Sequence, residues 1–260
     1  MFRSLHVAAT GMVAQETKLD TIANNLANAN TVGYKRQDAE FEDLLYQNVR
    51  SASADATGTA APGGTQVGSG ARVVATTRGF AQGPIQQTDN PLDVAIEGNG
   101  LFAVTRRTGE VAYTRSGSLK VDVQGRLCTS DGLAVEPPIN VPPDVTSITI
   151  AADGSVSATM AGQRAPTPLG QLQLVTFPNP NGLTALGHNL FEASASSGEP
   201  VVGAPGENGR GTILQGALEG SNVEVVNEMI GLIRTQRAYE INSKVISAAD
   251  EMLRNATQIR

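Results

Sequence analysis

The sequence predicts an α+β fold, mainly β, in which an antiparallel β domain is inserted between long N- and C-terminal helices that pair as a coiled coil. Three patterns lead there. Apolar residues recur every seven positions at both ends of the chain. Between those ends the apolar period falls to two. Pairs ending in glycine then punctuate short runs rich in Val, Ile, Thr and Tyr, as antiparallel hairpins require.

The N-terminal helix is predicted over residues 4–27, where Leu5, Met12, Leu19 and Leu26 recur at seven and Ala8, Ile22 and Ala29 extend the same face. The C-terminal helix is predicted over 221–258. Val225, Leu232, Tyr239, Ile246 and Leu253 again recur at seven, joined by Met229, Ile233, Val245 and Met252. Ser221 with Glu224 three residues on has the form of a capping box, and early Glu224 and Glu228 with late Arg254 suit the helix dipole.

Within the β region, LDVAIE places Leu92, Val94 and Ile96 on one face of a strand and Asp93 and Glu97 on the other. Turns are expected at Asn99-Gly100, Thr108-Gly109, Gln124-Gly125, Asp131-Gly132 and Asp153-Gly154, and a loop where prolines cluster at 137, 138, 142 and 143. Residues 48–71 are mostly Gly, Ala, Ser and Thr and hold little that could fill a core. The expected organisation is a terminal helical self-assembly domain of residues 1–30 and 221–260, an extended arm or linker at 31–71, and a β-rich domain at 72–220.

The seam side chains of an isolated helix pair do not offset the entropy of ordering its backbone, so the seams point to helices that order upon polymerisation. A long hairpin docked on the β domain, or a dimeric coiled coil, fits the same pattern.

Composition narrows the function. A 40% hydrophobic content builds a core, but 4% aromatics, no Trp and 28 Gly suit strands and turns better than an aromatic-lined ligand pocket. The net charge of -6, with Lys and Arg scattered, offers no stripe for nucleic acid. Cys128 is the single cysteine, so no internal disulfide forms, and it reads as a small buried hydrophobe. The first twenty residues hold Gln15, Glu16, Lys18 and Asp20 where a signal peptide needs an apolar stretch, and no run reaches membrane-spanning length. A cytoplasmic protein is the default, unless the chain leaves the cell by a route without a cleaved signal.

No catalytic, cofactor-binding or metal-ligating residue stands out. His6 and His188 lie far apart, and no zinc-protease, nucleophile-elbow or phosphate-loop motif is present. Asp89, Asp93, Asp122 and Asp131 would serve sugar hydrolysis only as convergent pairs in a cleft; strand and turn positions account for them otherwise. An adhesive module, its helices dimerising and its β domain recognising a ligand, is a second alternative.

Residues 23–36, ANNLANANTVGYKR, closely resemble the N-terminal signature of flagellar rod and hook axial proteins. The residues that carry the likeness are Asn24, Asn25, Leu26, Asn28, Thr31, Gly33, Tyr34 and Lys35; read alone, the Asn and Gly suit a helix-ending turn. Residues 220–253 are similar to the C-terminal helix of the same family, and PLDVAIEGNGLFAV and AYTRSGSLKVDVQGRL to its β domain. The length suits a rod subunit better than the longer hook subunit.

The resemblance implies a structural, non-enzymatic subunit of the basal body, in a rod that crosses the periplasm, exported without a cleaved signal peptide. Implied partners are further copies in a helical homopolymer, proximal rod and hook subunits, P and L ring proteins around the rod, and the flagellar type III export apparatus. Self-assembly would join Leu5, Met12, Leu19, Ile22 and Leu26 to Val225, Met229, Leu232, Tyr239, Ile246 and Leu253. An export element of the form Phe-x-x-x-hydrophobic is matched by Phe41 and Leu45.

Overall fold

A computed structural model describes residues 2–50, 64–162 and 165–258. The chain divides into two compact units, the first built from residues 1–27, 37–78 and 224–260 and the second from residues 28–36 and 79–223.

In the first unit, helix α1 (Phe2–Ala27) and helix α2 (Val225–Gln258) pack together. Neither contains proline, and their apolar positions follow the helical repeat that the sequence shows. Strands β1 (Gln37–Asp43), β2 (Gln47–Arg50), β3 (Thr65–Val67) and β4 (Ala71–Arg78) complete the unit. β1 pairs antiparallel with β4 from Gln37↔Arg78 to Asp43↔Ala71, with a bulge between Glu40 and Phe41. β2 pairs with β3. The Leu44 N–H donates to the Gly70 carbonyl (2.9 Å) and the Ser69 hydroxyl to the Leu45 carbonyl (2.8 Å), so the two pairs run on as one ribbon. Both β1 and β4 lie against α1. Of the stretch expected as an arm, residues 37–50 and 64–71 thus fall in this ribbon, and residues 51–63 lie outside the described residues.

The second unit is β throughout, apart from a 3-10 turn at Pro180–Gly182. Its strands are β5 (Ile85–Gln87), β6 (Val94–Glu97), β7 (Leu101–Thr105), β8 (Val111–Thr114), β9 (Leu119–Val121), β10 (Leu127–Thr129), β11 (Ala134–Glu136), β12 (Val145–Ile150), β13 (Ser155–Met160), β14 (Thr167–Gln171), β15 (Leu174–Thr176), β16 (Thr184–Gly187), β17 (Leu190–Glu192), β18 (Val201–Gly203), β19 (Thr212–Gln215) and β20 (Ala217–Glu219). One large antiparallel sheet runs β16-β17-β8-β7-β11-β10-β9, with β15 joining β7 and β18 joining β15. β12-β13-β14 form a second sheet, and β19 with β6 and β20 with β5 form pairs.

β7 sits at the centre because both of its faces are covered. Phe102 and Val104 enter a core with Val94, Ile96, Leu127 and Leu174, while Leu101 and Ala103 enter a second cluster with Tyr113, Val175 and Phe191. Two edge-to-face ring pairs close that second cluster, Phe80 on Phe191 and Tyr113 on Phe177. The expected turns form where glycine can take positive φ, as at Gly109 (+87°) between β7 and β8 and Gly154 (+81°) between β12 and β13. The prolines at 137, 138, 142 and 143 fall in the connection from β11 to β12.

One strand differs from its sequence pattern. β6 is not apolar on a single face: Ala95 is buried with Val94 and Ile96, and Asp93 is buried just before them. The Asp93 carboxylate accepts hydrogen bonds from the Thr88 hydroxyl (2.9 Å) and the Asn90 amide (3.0 Å), which lets an acid occupy a covered position.

Candidate interaction surface

The faces that α1 and α2 turn to each other are built from small and polar residues. A Cβ at Gly11 would touch the Asn242 side chain, and one at Gly231 would touch Ile22. Ala8, Ile22 and Asn25 on α1, and Glu228, Thr235 and Ala249 on α2, are buried. The Asn25 amide donates to Glu228 (3.3 Å) and to the Gln37 carbonyl (2.7 Å), while its oxygen accepts from the Gln37 N–H (2.9 Å). Small residues at the contact let two helices approach closely, so several larger apolar side chains flank the contact or lie outside it.

The expected seam residues are divided among these positions. Ile22 is fully buried; Leu5, Met12, Leu19 and Leu26 on α1 and Leu232, Ile246 and Leu253 on α2 are half-buried. Val225, Met229 and Tyr239 are exposed, together with Val226, Ile230, Ile233, Ile241, Val245 and Met252. α2 therefore carries apolar side chains on its outer surface along most of its length. Each is 42–63% exposed.

The residues expected to cap α2 lie just ahead of it. The helix starts at Val225, and the Glu224 carbonyl accepts its first-turn bond from the Glu228 N–H (3.0 Å). The Glu224 carboxylate accepts from the Asn227 amide (2.5 Å). The Ser221 hydroxyl accepts from the Val223 N–H (3.3 Å), within the approach to the helix. Phe41 lies exposed on β1, and Leu45, between β1 and β2, is 89% exposed.

The remaining motif residues carry the chain out of α1. Asn24, Asn25 and Leu26 occupy its last turn. The Asn28 side chain accepts from the Thr31 hydroxyl (3.2 Å) in the turn that follows. In the second unit Gly33 takes φ +70° and its N–H donates to the Glu219 carbonyl (2.8 Å); a Cβ there would stand 2.8 Å from the Ser116 nitrogen. Tyr34 is buried beside it.

Lys35 is also buried, and its ammonium donates to Glu219 (2.7 Å) and to the Ala81 carbonyl (2.7 Å). Glu219 further accepts from the Gly83 N–H (2.9 Å) and from Nε of the Arg115 guanidinium, whose Nη2 donates to the Ile96 (2.8 Å) and Gly98 (2.7 Å) carbonyls and whose Nη1 donates to the Gly100 carbonyl. Burial pulls the Lys35 ammonium below the usual lysine value, against the opposing pull of Glu219. Burial pushes the Glu219 carboxyl up, but Arg115, Lys35 and the Gly83 N–H outweigh it and hold it below the usual glutamate value.

Asn222 extends this network. Its oxygen accepts from the Arg36 N–H (2.6 Å), and its amide donates to the Gly79 (2.8 Å) and Ala81 (3.0 Å) carbonyls. The segments 33–36, 79–83 and 219–222 are thereby fastened into one collar. Sequence reasoning picked out Lys35 but missed Glu219, Arg115 and Asn222. The signal available for the first two was a lone charge inside an otherwise apolar or small-residue run, ALEG and AYTRSG.

The other titratable residues weighed from the sequence have separate local settings. Asp122 pairs with Arg126 (3.4 Å), and Asp89 is exposed. Asp131 and His188 line a polar hollow of about 340 Å³ with Thr31 and Ser116. Cys128 is buried, and burial pushes its thiol up. Among the described residues, no three His, Cys, Asp or Glu side chains gather as metal ligands, and no helix is long and apolar enough to cross a membrane.

Three family models match the chain: a flagella basal body rod protein model at residues 5–35, the flagellar hook protein FlgE/F/G D1 domain at 95–158, and the flagellar basal body rod FlgEFG protein C-terminal model at 214–259. Proteins named flagellar basal-body rod protein FlgG are similar over the whole length. That of Buchnera aphidicola subsp. Acyrthosiphon pisum is 46% identical over 260 residues, covering 100% of both chains. That of Caulobacter vibrioides is 46% identical with 99% of both chains covered, and that of Bacillus subtilis 36% identical with 100% of both covered. With both terminal helices, the β unit and full-length relatives in agreement, the chain belongs to the flagellar basal-body rod and hook protein family, as a structural subunit of the rod and not an enzyme.

Proposed function

We propose that the chain is the distal rod subunit, which polymerises into a hollow helical drive shaft between the basal body and the hook. The observation that carries this reading is the outer surface of α2, where Val225, Met229, Ile233, Tyr239 and Ile241 stay exposed beside an already closed contact with α1. Apolar surface on this scale marks an interaction site. The α1 and α2 helices pair as a coiled coil within each subunit, and the uncovered row meets the helices of neighbouring subunits. Contacts between unlike faces do not close on themselves, so an open helical polymer grows, and torque is shared among many weak contacts.

The subunit crosses the cell envelope unfolded through the type III export apparatus, with Phe41 and Leu45 as the export element, and folds at the growing tip. Proximal rod and hook subunits flank it, and P and L ring proteins surround it in the periplasm. Deleting residues 41–45 abolishes secretion; normal secretion of that variant removes the export role.

Electron microscopy of basal bodies from cells lacking the gene tests the assignment. The expected particles keep the inner ring but lack the distal rod and hook. Particles with normal hooks overturn it, and particles lacking the whole rod favour a proximal subunit.

A further inference from the structure

A second apolar feature of the first unit lies away from the α1–α2 contact. Between α1 and β4 runs a groove of about 460 Å³, walled by Ala9, Val13 and Ala14 on one side and Leu44, Ala71 and Val73 on the other. Val13 stands 62% exposed at its mouth. β4 alternates, with Ala71 and Val73 turned toward α1 and Arg72 and Val74 turned outward, which makes the wall apolar.

We propose that this groove is the seat of α2 from a second copy of the chain, with Ile241, Val245 and Met252 entering it. This rests on the self-assembly reading above and specifies its contact. Ile241, Val245, Ala248 and Met252 are spaced i, i+4, i+7 and i+11, so they form one unbroken ridge. The N-terminal half of that face is interrupted by Arg234 and Arg237, which leaves the C-terminal half as the part that fits. The ridge runs eleven steps along its helix, from Ile241 to Met252, and so does the α1 wall from His6 to Thr17; at a rise of about 1.5 Å per step each is about 16 Å long.

Extent points the same way. The ridge is the C-terminal part of an exposed apolar row that runs from Val225 to Met252, and a row of that length is more than most monomers leave uncovered, so its cover is a surface as extended as a second copy offers. A ridge and a groove of equal length on different faces of one chain make a heterologous contact that repeats from copy to copy. Charge has a minor part: Glu240, Glu251 and Lys244 border the ridge, while His6 and Arg72 border the groove and Arg72 already pairs with Glu42.

The test uses full-length Val13→Cys, Val245→Cys and the double variant, expressed in cells lacking the gene and bridged with a short bis-maleimide in isolated basal bodies. The double variant is expected to yield a ladder of dimers, trimers and higher species, and each single variant nothing above a dimer. Buried Cys128 is common to all samples and is controlled by the singles. Rods that contain the double variant yet give no ladder, or only a faster-migrating internally bridged monomer, overturn the groove contact and leave the rod assignment standing. Absence of the wild-type chain from isolated rods overturns both.

Discussion

Lys35 and Glu219 form an ion pair of 2.7 Å across 184 residues of sequence, and each side chain is 1% exposed. Glu219 also holds Arg115 and the Gly83 N–H, so two buried cations share one carboxylate. The two ends of the Lys35 pair are therefore unequal.

That inequality orders the effects of substitution. Glu219→Gln leaves Lys35 and Arg115 buried without a counter-charge and is expected to destabilise the β unit by about 3–5 kcal/mol. Lys35→Met leaves Glu219 still paired with Arg115 and is expected to cost about 1–3 kcal/mol, near that of a lost buried hydrogen bond. Urea unfolding of the purified full-length variants checks the order. Equal losses would mean that Arg115 does not compensate the carboxylate.

The same group sets an acid dependence. The folded state holds the Glu219 carboxyl below its ordinary value of 4.5, so the stability this provides is complete above that value and is lost as pH falls through the folded one. Unfolding free energy measured from pH 6 downward is expected to fall more steeply for the wild type than for Glu219→Gln. Parallel curves would assign the acid sensitivity to other carboxylates.

Gly33 and Gly109 separate backbone strain from crowding. Both take positive φ, +70° and +87°, but a Cβ at Gly33 meets the Ser116 nitrogen at 2.8 Å while one at Gly109 meets nothing within 4 Å. Gly109→Ala is expected to cost about 1 kcal/mol for its dihedral alone, and Gly33→Ala clearly more. Thermal melts of the two variants read the difference directly. A Gly33→Ala melting temperature at or above that of Gly109→Ala would show that the 31–35 turn yields without loss.

The helices should be the softest part of an unassembled subunit. Their mutual contact uses small residues, and most of the apolar surface of α2 lies outside it. Amide exchange in dilute monomer is expected to be fast in α1 and α2 and slow in β7 and β8, with protection of the helices appearing on polymerisation. Strong protection of α2 in the monomer would show that the pair is stable alone.

Local pattern made much of this chain legible. The heptad spacing of Leu5, Met12 and Leu19 marked α1, and that of Val225, Leu232 and Tyr239 marked α2, because side-chain direction in a helix is fixed by its own geometry. Glycines at 109, 125, 132 and 154 marked hairpins for an equally local reason, the absence of a Cβ at positive φ. The stretch expected as an arm was harder. It holds β1, whose ladder partner β4 lies about thirty residues later, beyond Gly- and Ala-rich sequence that carries no strand pattern of its own.

What the sequence by itself determined was the kind of element at each place, the family signature at residues 23–36, and the row of apolar residues along each terminal helix. Tertiary structure decided what covers them. Periodicity says that Met229 and Tyr239 share an apolar side of α2, but only the approach of α1 to Gly231, Thr235 and Ala249 leaves that side open. The charge of Lys35 is written in the sequence; its partner is not. The folded path that brings Glu219 and Arg115 beside it makes a buried charge tolerable, since desolvation is offset only by counter-charges and hydrogen bonds that arrive from distant strands.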